Sequence, residues 1–164
     1  MKKKAPWLLL GVLLVQLGLT ASVFFPAPHT GGDNAGYVSL AHSLLERGAY
    51  LELWDHQEPP HTKYPPVFPL LLAGAMALGV KGWIGLKSVP FLFTLLSGAF
   101  AFLWIRDRKG EGAAAAVALL LVMSDAVLYY SHWILSDPVF LAFTLGALWA
   151  LERGDRREAQ RSGQ

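Results

Sequence analysis

In this chain of 164 residues, 54% are hydrophobic and only 16% charged, whereas ordinary soluble domains carry roughly a quarter charged residues. The charges are also bunched: none occurs from Pro6 to Gly32 or from Ser88 to Ile105, which points to a lipid rather than an aqueous surround. A formal net charge of +2 with no basic, aromatic-interleaved stripe argues against a nucleic-acid partner, and the lack of cysteine excludes disulfides and thiolate metal sites.

In chain order, Met1-Lys2-Lys3-Lys4 and the apolar run Trp7–Phe25 come first. A cleaved signal peptide begins the same way, but this run exceeds a usual signal core and further apolar segments follow, so an uncleaved first span is expected. Later apolar stretches cover Pro65–Val80, Leu86–Ile105, Ala113–Tyr130 and Pro138–Leu151. Pro65–Val80 carries Pro65, Pro66, Pro69, Gly74 and Gly79, and suits a helix lying at the membrane interface rather than crossing. Four spans then remain. Lys2–Lys4, the Arg106–Lys109 cluster and the basic tail up to Arg161 all fall inside, as positive charge prefers, while Lys81 and Lys87 fall outside. The expected fold is therefore all-α: about four transmembrane helices, with juxtamembrane amphipathic helices in a first outer loop over residues 26–85. Residues 1–152 form the membrane domain and 153–164 a polar cytoplasmic tail.

Chemistry is expected in the outer loops. Asp33 precedes a helical pattern of Tyr37, Leu40, Ala41, Leu44 and Leu45, and Gly48 stands where a C-terminal cap belongs. Asp33 is thus either a helix N-cap or a functional carboxylate. His56, Glu58 and His61 offer imidazole and carboxylate ligands for zinc or manganese, or are simply solvated loop residues. Lys63 is a point charge for a phosphate or an interfacial anchor. In the second outer loop, Asp137 with Pro138 opens a helix and has its own N-cap reading. Asp125 stands near the outer end of its span, and an ionisable group there is a further functional candidate.

Three segments carry a family resemblance. Gly32-Asp33-Asn34-Ala35-Gly36-Tyr37, with Leu44 through Tyr50, resembles the first outer loop of GT-C type membrane glycosyltransferases. The likeness is to the protein mannosyltransferase and aminoarabinose transferase relatives of glycosyltransferase family 39. His61-Thr62-Lys63-Tyr64-Pro65-Pro66 is similar to their basic residue before a double proline, and Ser131–Pro138 to the loop bearing their second acidic residue. The resemblance implies transfer of a sugar from a polyprenyl-phosphate-linked donor to a lipid, glycan or protein hydroxyl, on the outer face of the plasma (inner) membrane. It implies that Asp33 and Asp137 are catalytic, that Lys63 and His132 bind the donor phosphate, and that a divalent metal, if used, is held by Asp137 and His61. Thr62 stands where aminoarabinose transferases carry Glu. Family members continue through many more spans, so this chain is expected to be a truncated product. The alternative is a non-catalytic membrane subunit keeping only this module.

Overall fold

The computed structural model describes residues 7–29 and 32–162; the Lys2–Lys4 cluster and Gly31 lie outside them. Among the described residues the chain is all-helical, as expected, apart from one isolated β-bridge between Leu51 and Pro60. Helix α1 (Trp7–Ser22) buries Val12, Gln16 and Thr20, a single stripe at four-residue spacing, and leaves Leu10, Leu14 and Leu17 exposed. Helix α2 (Asn34–Arg47) is the amphipathic helix expected after Asp33. Its Tyr37, Leu40 and Ala41 are buried, but Leu45 is exposed, one step round from the packed face. Gly48 ends it in the left-handed conformation at φ 64°, which a residue without a Cβ adopts freely.

The proline-rich segment forms α3 (Val67–Ala77), with Pro66 at the N-cap and Pro69 in the first turn, where a missing N–H costs nothing. At 11 residues it is only about 16 Å long, against the roughly 30 Å of a bilayer core. Then come α4 (Gly82–Leu86) and α5 (Ser88–Lys109). The stretch Gly82–Lys109 is the one described helix long and apolar enough to cross a membrane, by length and composition.

The apolar run 113–130 is not one helix. It divides into α6 (Glu111–Val122) and α7 (Asp125–Tyr130), with Ser124 extended at φ −63°, ψ 132° between them. Ser and Asp favour helix starts over helix interiors, and here Asp125 occupies the first turn of α7, where its charge suits the helix dipole. Helix α8 (Asp137–Ser162) runs without a break through the junction at 152/153 into the polar tail.

Two cores hold these elements. One joins α2, α3, α4, the start of α5, the loop before α8 and the start of α8 through Tyr37, Ala41, Phe68, Leu72, Leu86, Val89, Ile134 and Val139. The other joins α1, α5 and α6 through Val12, Phe102, Ala114 and Ala118. Small residues allow this second approach: a Cβ on Gly98 would lie 2.2 Å from Gln16 Oε1. Gln16 in turn donates to the Thr94 carbonyl at 2.6 Å.

Candidate functional site

The site is built where the segment before and after Asp33 meets the loop before α8. Buried Asn34, the first residue of α2, accepts the Ile134 N–H at 2.8 Å, and the Tyr37 and Ser136 hydroxyls share a hydrogen bond of 3.1 Å. These bonds join segments about a hundred residues apart and bring both Asp33 and Asp137 within electrostatic reach of the Tyr37 phenol. Burial pushes the Tyr37 phenol above its ordinary range; the Ser136 hydrogen bond opposes this, and the charges of Asp33, Tyr64 and Asp137 reinforce it.

Asp33 stands at the N-cap position, but its side chain makes no capping hydrogen bond. Its Oδ1 instead accepts the Tyr64 hydroxyl proton and lies 3.9 Å from Lys63 Nζ. Lys63 donates to the same Tyr64 hydroxyl at 2.9 Å, a bond that raises the lysine above its usual range; the Tyr64 and Asp33 charges add to this, and slight desolvation opposes it. Both charged side chains stay open to solvent, Asp33 at 44% and Lys63 at 70% exposure. A carboxylate and an ammonium are thus presented side by side, bridged by one phenol.

Asp137 is exposed at the start of α8 and borders two cavities. One, of about 330 Å³, is walled by Pro65, Val67, Phe68, Val139, Phe140 and Phe143, and is apolar except at the Ser136–Asp137 end. The other, of about 170 Å³, lies between α5, α7 and α8. Asp125, at the start of α7, is exposed and lines neither cavity.

The histidines are placed differently from Asp33 and Lys63. His61 is buried and uses both ring nitrogens: Nε2 accepts the Tyr64 N–H at 2.9 Å, so Nδ1 carries the proton given to Glu52 Oε1 at 2.8 Å. Glu58 turns to Arg47 at 3.3 Å, and His56 is exposed. Among the described residues no group of three or more His, Asp or Glu side chains is gathered as a metal site. Of the two candidate donors, His61 spends both ring nitrogens on protein partners, while Asp137 is exposed. His132 is buried against Trp133, with ring centroids 4.7 Å apart, and its Nδ1 has no partner. Burial, then the charge of Lys87, pushes this imidazole below its usual range, while a backbone hydrogen bond opposes them.

Two contributors were not singled out from the sequence. Lys87, noted only for the side of the membrane it would fall on, is fully buried: its ammonium donates to the carbonyls of Phe25 and Ala27 at 2.6 and 2.7 Å and lies over the Trp133 ring at 4.9 Å. It latches the chain leaving α1 to the head of α5. The available signal was its isolation, since a lone charge ahead of an apolar run needs partners. Tyr64, inside the Lys-Tyr-Pro-Pro motif, is the bridge itself. No family model matches the chain, and no curated protein or solved structure matches it significantly.

Proposed function

We propose that this chain is a membrane glycosyltransferase module of the GT-C type, with about four spans, a cytoplasmic N-terminus and its site on the outer face of the plasma membrane. It transfers a sugar from a polyprenyl-phosphate-linked donor to an acceptor hydroxyl of a lipid, glycan or protein. The observation that carries the reading is the pairing of Asp33 with Lys63. Two motif residues thirty positions apart meet at an open face, and Asp33 is used there rather than as a helix cap. The many exposed apolar side chains, Leu14, Leu70, Leu120, Phe140 and Phe143 among them, support a lipid surround.

In this reading the acceptor oxygen attacks the anomeric carbon while Asp33 takes its proton, and the bond from that carbon to the phosphate oxygen breaks. Lys63 balances the charge gathering on the departing polyprenyl phosphate. Asp137 is the second carboxylate and orients the acceptor or donor at the mouth of the apolar cavity. His132 supports the second loop from within. No step is assigned to a metal.

The test is sugar transfer from labelled polyprenyl-phosphate hexoses and pentoses in membranes containing the wild-type chain or Asp33→Asn. Loss of about 10²–10⁴-fold in the variant is expected for removal of a general base. Transfer by the variant equal to that of wild type sinks the reading and favours a non-catalytic subunit.

A further inference from the structure

The Asp33–Lys63 pair is not held by its own attraction. At 3.9 Å, with both side chains largely in solvent, the contact is worth little alone. What fixes it is Tyr64, whose hydroxyl accepts a hydrogen bond from Lys63 and donates one to Asp33. Tyr64 is itself gripped at every group. Its N–H goes to His61, its carbonyl accepts the Tyr50 hydroxyl at 3.1 Å, and its ring lies 4.8 Å from that of Tyr37. Those holders are braced in turn. His61 is fixed by Glu52, and Ser43 of α2 binds both the Ala49 carbonyl and the Leu51 N–H, tying the Tyr50–His61 excursion to the helix that Asp33 precedes.

We propose that Tyr64 is the positioning residue of this site, coupling Lys63 to Asp33 so that the two motifs act as one unit. His61 and Glu52 belong to its support. The coupling follows from the hydrogen bonds above; its consequence for transfer rests on the glycosyltransferase reading. Tyr64 touches no reacting atom in this scheme. It sets where the proton acceptor stands relative to the phosphate's counter-charge, and small misplacements of such groups are costly in rate.

The experiment pairs two readouts on the full chain. Tyr64→Phe keeps the ring and its packing on Tyr37 and removes only the hydroxyl. In 15Nζ-lysine spectra of the detergent-solubilised chain, Lys63 is expected to titrate lower in Tyr64→Phe than in wild type, because its hydrogen-bond acceptor is gone. In the transfer assay, kcat is expected to fall at least about tenfold with the donor KM within about twofold, as for loss of an interaction made in the transition state. An unmoved Lys63 titration overturns the coupling whatever the activity. A lowered titration with unchanged kcat overturns the positioning role, while an inactive Asp33→Asn still upholds the enzyme reading. Activity retained by Asp33→Asn sinks the enzyme reading and the positioning role with it, and the Lys63 titration still decides the coupling.

Discussion

The two ends of the helical bundle hold similar side chains in opposite ways. At the end where α5 approaches the tail of α8, Glu152 is saturated: Trp104 donates to it at 2.9 Å, Arg156 at 2.6 Å and Arg108 more closely still. Asp107 joins the same cluster, accepting from Trp149 at 3.3 Å, while Arg108 and Arg153 lie over the Trp104 and Trp149 rings. The two carboxylates there are each engaged by several side chains of the protein, Glu152 by three of them. At the opposite end Asp33 has a phenol and one loosely placed ammonium, and both charges remain open. A carboxylate surrounded by donors is a structural fastening. One held at a single oxygen and left half-exposed beside a cation still has capacity for a ligand.

This contrast can be broken by substitution. The largest expected effect is the loss of transfer in Asp33→Asn, accompanied by no change in thermal unfolding, because that carboxylate caps no helix. Next is Asn34→Ala, which strands the buried Ile134 N–H and unlinks the start of α2 from the loop before α8. Its cost is about 1–3 kcal/mol, read as a lowered unfolding midpoint in detergent together with reduced transfer. The smallest belongs to Glu152→Gln. Desolvation pushes Glu152 upward, but the Arg156, Arg108 and Trp104 hydrogen bonds outweigh it and hold the carboxyl below the usual glutamate range. A depressed folded-state value means that the stabilisation is present above the ordinary glutamate range and fades as pH falls through the lowered one. Wild type is therefore expected to lose unfolding temperature on acidification more steeply than Glu152→Gln, with no difference in transfer between them. Equal slopes would remove the structural role of that cluster.

Local chemistry made much of the fold readable in advance. The end of α2 at Gly48 and the opening of α8 at Asp137-Pro138 follow from capping preferences and proline geometry, which a few neighbouring residues decide; α2 starts after Asp33 as expected, although that carboxylate is not the cap. The short α3 follows equally from its prolines. The break at Ser124 escaped because hydropathy runs smoothly through Ala113–Tyr130, and only the Ser-Asp pair records it. The continuation of α8 past Leu151 escaped because its polar half has helix-favouring residues but no apolar pattern to announce it. At the site, Asp33 and Lys63 were legible as motif residues, but their bridge was not. Tyr64 meets Asp33 across thirty-one positions, and His61 turns inward to serve it, through contacts that exist only once α2 and the following excursion have folded together. The burial of Lys87 is likewise a tertiary fact, set by where the chain leaves α1.

In the proposed topology the open end faces the outer side of a membrane and the fastened end the cytoplasm. Because the chain has no cysteine, single cysteines can report this cleanly. Gln57→Cys in the exposed excursion and Lys109→Cys at the end of α5 would be treated in intact cells or spheroplasts with a membrane-impermeant maleimide. The account predicts labelling at position 57 without permeabilisation, and at position 109 only after it. Labelling of both from the same side would contradict the topology, and with it the placement of Asp33 and Lys63 at an outer-face site.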